Sequence, residues 1–345
     1  MSRPPAVMGW DIGGVNTKAA RLNSNAPPDC RSTSLPYELQ RQPSLLSDTL
    51  RTAAWQIGAE RDDCHAVTMT AELSQFFRTK REGVGFVLDA LEATFPSERL
   101  HVYTVSGRFV SPEAAREDPL GVAASNWAAT ASWVGRWIPN CILIDVGSTT
   151  SDLIPIRQGR IAAWGRTDPE RLRTGELVYT GALRTPVEAI ARRLRFRDAT
   201  IALAAEGFAL SGDVHLWLGG IRPEEYTCPT PDGRPAIREY AGERLARSVC
   251  ADRDLLDDAD IDQLATGLAF EQTRNLCEAL RAIRERCPEL DTAVVTGLGE
   301  FIAAGAARLV GLKVCPLAEK LHGSSQTAPA TAVAYLLRTH LSRSP

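Results

Sequence analysis

Two aspartates occupy the same place in two similar stretches of this 345-residue chain. Asp11 lies in Val7-Met-Gly-Trp-Asp-Ile-Gly-Gly-Val-Asn-Thr-Lys-Ala-Ala-Arg-Leu22 and Asp145 in Cys141-Ile-Leu-Ile-Asp-Val-Gly-Ser-Thr-Thr-Ser-Asp-Leu-Ile-Pro-Ile156. One offset (145 − 11 = 134) also relates Gly13 to Gly147, Gly14 to Ser148 and Thr17 to Ser151. An Asp at the end of an apolar strand, followed at once by small residues, supplies what a phosphate chain needs: a carboxylate for Mg²⁺ and backbone donors for phosphate oxygens. Asp11 and Asp145 are therefore the candidate metal-organising carboxylates. Gly13, Gly14, Asn16 and Thr17 from one turn, and Gly147, Ser148, Thr149 and Thr150 from the other, are the candidate donors. Lys18 adds a mobile positive charge, and Asp152 a third carboxylate able to bind metal or take a proton. One copy alone reads equally well as an ordinary β-turn. The repetition, with a third glycine turn at Gly297-Leu-Gly299 before a helix, favours phosphate binding.

The elements that must hold these turns alternate in type. Each repeat reads as a β-hairpin. The pattern predicts further strands at Ser32–Pro36, Ala66–Met69, Leu100–Val105, Arg160–Ala163, Leu177–Tyr179, Ile201–Ala205, Val214–Leu218 and Thr292–Thr296. Helices are expected at Pro43–Ile57, Phe86–Ala93, Ala114–Arg136 with a break near Pro119, Asp260–Arg286, Glu300–Val310 and Ala328–Leu341. Such alternation implies an α/β fold of sheets covered by helices. The Pro-rich segment 222–238 should be an ordered loop or flap. The expected division is residues 1–140 for one lobe, 141–327 for a second, and 328–345 for a C-terminal helix at the lobe junction.

Composition narrows the partners. Lys and Arg number 39 against 42 Asp and Glu, so a net charge of −3 gives no global attraction to nucleic acid or anionic lipid, and any anion must be gripped locally. The longest apolar runs fall far short of the roughly 20 residues that cross a bilayer, which points to the cytoplasm. The eight cysteines form no Cys-x-x-Cys pair and read as reduced and structural, the adjacent Cys64 and His65 included.

Asp11-Ile-Gly-Gly-Val-Asn-Thr-Lys18, Asp145-Val-Gly-Ser-Thr-Thr-Ser-Asp152 and Val294-Val-Thr-Gly-Leu-Gly299 resemble the phosphate-1, phosphate-2 and adenosine motifs of the actin, sugar-kinase and Hsp70 superfamily, in that superfamily's order. The second motif most resembles the hydantoinase and oxoprolinase branch, although the chain is far smaller than those amidohydrolase subunits. A closer resemblance rests on Met69-Thr-Ala-Glu-Leu73, Arg81-Glu-Gly-Val84, Ser125-Asn-Trp127, Thr174-Gly-Glu-Leu-Val-Tyr-Thr-Gly181, Ser211-Gly-Asp213 and Pro231-Asp-Gly-Arg234. These are similar to a small family linked to tetrahydromethanopterin-dependent one-carbon metabolism, over essentially the whole chain.

The resemblance implies an actin-like ATPase (RNase H-like) duplicated fold, with two lobes around a phosphate-binding cleft. It also implies a methanofuran-type or methylofuran-type synthase, a transferase that joins a diphosphate-activated aminomethylfuran to the phenol oxygen of γ-glutamyltyramine and releases diphosphate. Mg²⁺ is the expected cofactor, with ATP permitted but not required. The expected partners are the two small-molecule substrates, with no nucleic acid and no membrane; a homodimer is left open. Gly297 and Gly299 would meet a ligand head.

A phenol with a pKa near 10 needs a base. Glu72, Asp152 and Asp213 are the candidates, unranked, since Glu72 also reads as a helix-start charge and Asp213 as a turn residue. Asn126 and Trp127 could meet an aromatic substrate, and Glu176, Tyr179, Asp232 and Arg234 could face the cleft. The competing functions are an ATP-dependent small-molecule kinase or ATPase of the same fold, a nucleotide-switched assembly protein, and a hydantoinase-like hydrolase.

Overall fold

A computed structural model describes residues 5–25, 27–319 and 325–343. The strands in chain order are β1 (Val7–Ile12), β2 (Asn16–Leu22), β3 (Cys30–Pro36), β4 (Cys64–Met69), β5 (Leu100–Tyr103), β6 (Phe109–Val110), β7 (Cys141–Val146), β8 (Ser151–Arg157), β9 (Arg160–Ile161) and β10 (Leu177–Val178). They are followed by β11 (Arg193–Phe196), β12 (Ala199–Ala202), β13 (Thr292–Thr296) and β14 (Lys313–Pro316). One sheet has the order β3-β2-β1-β4-β5-β6; a second runs β10-β8-β7-β13-β14 with β9 on β8; β11 and β12 pair apart. The two larger sheets each contain one of the repeated hairpins, β1–β2 and β7–β8.

The chain forms two compact units: Met1–Leu143 with Ile154–Arg171 and Pro316–Pro345, and Ile144–Leu153 with Leu172–Cys315. In the first, β1 lies at the middle of its sheet and every residue of Val-Met-Gly-Trp-Asp-Ile is buried, because β2 and β4 flank it and helices cover it. Its pairing with β4 is parallel, Asp11 opposite Thr68 and Ile12 opposite Met69. The two strands therefore exit at the same edge, the edge at which open α/β sheets place their ligands. His65 belongs to this core: its Nδ1 accepts from Trp10 Nε1 at 3.1 Å, its ring stacks on Phe95 at 4.0 Å, and burial lowers its pKa to about 4.

The C-terminal helix Ala328–Leu341, given a segment of its own in the expected division, packs on β1 of the first unit. In the second unit the long helix Asp258–Arg286 carries a capping pair at its start: Asp257 accepts from the Asp260 amide at 2.9 Å and Asp260 from the Asp257 amide at 3.2 Å. Among the described residues no helix is long and apolar enough to cross a membrane.

Several expectations need correction. Val214–Leu218, expected as a strand, lies largely in the helix Ser211–Trp217, since a five-residue, mostly apolar stretch has no period that separates strand from buried helix. The single helix expected over Ala114–Arg136 is three, Pro112–Glu117, Pro119–Val122 and Asn126–Val134. Pro119 interrupts the first, and Ala123 leaves the helix to bridge Met69 before Ala124 takes a left-handed φ of 49°. The helix expected at Phe86–Ala93 begins earlier, at Lys80, because Thr79 Oγ1 accepts from the Glu82 amide at 3.2 Å. The helices Asp168–Thr174, Val187–Ile190 and Arg238–Arg247 and the strands β11 and β14 were not anticipated.

A Cβ added to Gly9 would lie 1.9 Å from the Ala330 carbonyl oxygen, so the backbone of β1 touches the C-terminal helix directly. Gly9→Ala should therefore lower stability by about 2 kcal/mol in urea denaturation, the usual cost of overpacking. An unchanged midpoint would mean that the helix is not seated there.

Candidate active site

The repeated turns have the same internal geometry. The Gly13 amide donates to the Asn16 carbonyl at 3.0 Å, and the Gly147 amide to the Thr150 carbonyl at 2.9 Å. These bonds close each loop and turn the amides between them away from the strands. The amides of Gly14 and Val15, and those of Ser148, Thr149 and Thr150, donate to no acceptor among the described residues. A row of N–H groups without internal acceptors is the kind of backbone from which anion-binding nests are made.

In the first unit the Gly14 and Val15 carbonyls accept from the Leu39 and Tyr37 amides at 3.0 and 2.9 Å, which fixes the turn. Asp11 is 4% exposed; its Oδ2 meets Lys18 Nζ at 3.3 Å, and its Oδ1 has no partner. Thr17 Oγ1, behind the turn, is also buried and unpartnered. Where β4 ends beside Ile12, the chain makes one 3-10 turn, Ala71–Leu73, that buries Glu72. Neither Glu72 carboxyl oxygen makes a well-formed hydrogen bond, although the Glu72 and Ala124 backbone lie close enough to favour its charged form. Burial raises its pKa to about 7, opposed by its own and the Ala124 backbone and by Lys80, and assisted by Asp168. Ala123, bridged to Met69, delivers Ser125 and Trp127 to the start of the helix Asn126–Val134. Ser125 Oγ and Trp127 Nε1 are likewise buried without partners, and the Arg171 guanidinium covers the Trp127 ring at 4.3 Å.

Of the ten buried side-chain polar atoms that lack a partner among the described residues, six belong to Asp11, Thr17, Glu72, Ser125 and Trp127. Native proteins leave few such atoms, so their concentration near one sheet edge marks a polar site.

The second unit builds its site on the other turn. Asp145 is half-buried, and Gly297, at φ +94°, approaches it so closely that a Cβ there would lie 2.4 Å from Asp145 Oδ1. The Gly299 amide donates to the Val146 carbonyl at 2.8 Å and starts the helix Glu300–Leu309. The third glycine turn thus packs against the second phosphate-type turn. The Ser148 carbonyl accepts from the Leu183 and Arg184 amides at 3.0 Å, and the Gly147 carbonyl from the Ala182 amide at 2.9 Å. This supporting loop is held in turn by buried Gln272, which donates to Thr180 Oγ1 at 2.9 Å and to the Gly181 carbonyl at 2.8 Å. His215, its pKa lowered to about 4 by burial, orients Gln272 at 2.7 Å. Asp152 is buried on β8 opposite Leu177.

The remaining candidates sit in other surroundings. Asp213 is wholly buried: its Oδ1 accepts from Arg244 Nη2 at 2.7 Å and Tyr226 Oη at 3.2 Å, and its Oδ2 from the Leu210 amide at 2.9 Å. With both oxygens engaged, it has the least freedom of the three candidate bases. Asp232 pairs with Arg244 at 3.0 Å and Arg234 with Glu243, so the Pro-rich segment is tied to the helix Arg238–Arg247. Glu176 is buried beside Arg286 at 3.5 Å, whereas Tyr179 is exposed. Ser125 lies inside the Ser125-Asn-Trp127 motif, but Gln272 and Arg244 carry no local signal; their partners lie from 12 to 92 residues away.

The family model for hydantoinase/oxoprolinase matches residues 63–340. The (4-{4-[2-(gamma-L-glutamylamino)ethyl]phenoxymethyl}furan-2-yl)methanamine synthase of Methanocaldococcus jannaschii is 35% identical over 98% of this chain and 99% of its own. The protein of the same description from Methanococcus vannielii is 38% identical over 48% of this chain and 74% of its own. Among solved structures, acetone carboxylase superposes with a TM-score of 0.56 at 12% identity, covering 94% of this chain and 69% of that one. The activator of 2-hydroxyisocaproyl-CoA dehydratase from Clostridium difficile gives 0.50 at 12% identity, covering 98% and 96%. The fold is thus the duplicated actin-like one, and the chain belongs to the hydantoinase/oxoprolinase family, on the branch that holds the M. jannaschii synthase.

Proposed function

We propose that the protein is a transferase of methanofuran or methylofuran synthesis, coupling a diphosphate-activated aminomethylfuran to the phenol oxygen of γ-glutamyltyramine in the cytoplasm. Full-length similarity to the M. jannaschii synthase supports the reaction class. The structural observation that carries the mechanism is the Glu72 carboxyl, buried, unpartnered and raised to about 7 near the edge where Asp11 lies.

In this reading the phenol oxygen attacks the furan methylene carbon, the carbon–oxygen bond to diphosphate breaks, and its electron pair leaves with the diphosphate. Glu72 accepts the phenol proton; a base with a pKa near the working pH does this most effectively. Negative charge grows on the departing diphosphate, so the free turn amides and Lys18 stabilise the transition state more than the ground state. Asp11, with an orphaned buried oxygen, fits a hard cation and would hold Mg²⁺, with Asp145 assigned the corresponding part in its own unit. Bound Mg²⁺ would supply neutralising charge to the diphosphate. Trp127, buried under Arg171, would position an aromatic substrate by its indole N–H rather than by an exposed face.

Diphosphate release by the purified protein should need both organic substrates and Mg²⁺, and Asp11→Ala or Asp145→Ala should each lower kcat by about 100-fold or more. Phosphate or diphosphate release from ATP alone, with none from the organic pair, would replace this reading with the kinase or ATPase one.

Glu72 allows a test that separates catalysis from folding. Its folded pKa of about 7 exceeds the reference 4.5, so the native state holds the extra proton between these values and stability falls as pH rises through that window. Glu72→Gln should therefore stabilise the protein at pH 8 by about 3 kcal/mol and leave it unchanged near pH 4. The same variant should lose roughly 100-fold or more in kcat, and the wild-type rate should fall as pH drops below about 7. A stabilised variant with full activity would remove Glu72 from the mechanism.

A further inference from the structure

The first unit contains a cavity of about 380 Å³ beside β5, β6 and the end of the C-terminal helix. This is within the range that accepts small ligands. Its charged lining is of one sign: Arg108, Arg136 and Arg343, with His340 beside them and no Asp or Glu. None of the three guanidiniums has a carboxylate partner among the described residues. Arg136 donates to Thr339 Oγ1 at 2.9 Å, and Arg108 Nε reaches only Ser106 Oγ, at 3.4 Å. Burial and the nearby Arg343 charge both lower the Arg136 pKa, so the cations are unfavourable neighbours as they stand.

The rest of the lining is aromatic and apolar. Tyr103 and Phe109 meet edge to face at 5.0 Å, Phe109 lies 5.7 Å from the His340 ring, and Leu336 completes this side. None of these residues belongs to the turns of Asp11 or Asp145.

The geometry points to a second ligand site here, for a small soluble phosphate ester whose organic part is a flat ring. Three unpaired guanidiniums favour a dianion over a monoanion, and their planar donor forks match phosphate oxygens. The ring would pack on Phe109 and Leu336. This site is separate from the proposed synthase chemistry and stands whether or not that reading holds.

Isothermal titration in a chelator, with phenyl phosphate as the probe and benzoate as the monoanionic control, tests it on the full chain. Phenyl phosphate should bind at least about tenfold more tightly than benzoate. Arg136→Gln and Arg343→Gln, whose side chains are partly open to solvent, should each weaken it by about tenfold, while Asp145→Ala should leave it unchanged. Absence of binding, equal affinity for benzoate, indifference to the arginine variants or loss in Asp145→Ala would each overturn the assignment. Cosedimentation with phosphatidic acid vesicles, without binding of phenyl phosphate, would assign the arginines to a lipid headgroup and overturn the soluble ester.

Discussion

A buried carboxylate at the exit of a fully buried strand is the constraint around which the first unit is organised. Asp11 must end β1 inside the sheet, and the fold satisfies only one of its oxygens, through Lys18. A buried carboxylate oxygen left without a partner is costly. Its retention makes chemical sense where a cation joins it during function. The surrounding structure keeps that carboxylate in place: β1 is flanked by β2 and β4, the C-terminal helix lies directly on Gly9, and the Gly13 amide closes the turn immediately beyond.

The same device serves the second unit with different support. The turn after β7 repeats the bond of the turn after β1, but its carbonyls are braced by the 182–184 amides, and that loop hangs on Gln272 of a long helix. Gly297 approaches Asp145 in a left-handed conformation that a side chain would obstruct. Two hairpins of similar sequence are thus rigid for different reasons. The carbonyls of the first are braced by the Tyr37 and Leu39 amides, and the segment that braces the second hangs on a buried polar network.

Rigidity and polarity are distributed unequally among the three candidate bases. Asp213 spends its charge on Arg244, Tyr226 and a helix start, which anchors the Pro-rich segment through Asp232. Asp152 is held within β8. Glu72 has neither oxygen in a well-formed hydrogen bond, on a short turn between β4 and the helix Lys80–Glu92. Tight packing of Gly83 against the Glu72 backbone fixes that turn without hydrogen-bonding its carboxyl.

The hairpins, the glycine turn and the α/β alternation were legible in the residues because each depends on contacts within a few positions: an apolar strand, a small-residue turn, a capping pair. Val214–Leu218 was misread because its apolar run fits strand and buried helix equally. What separates Glu72 from Asp213 is invisible locally. Both are acids in short turn-like motifs, and only folding brings Arg244 to one and withholds a partner from the other. The sequence by itself therefore determined the two small-residue turns and the set of acidic candidates, while burial and long-range pairing decided which carboxylates are held by partners and which are not.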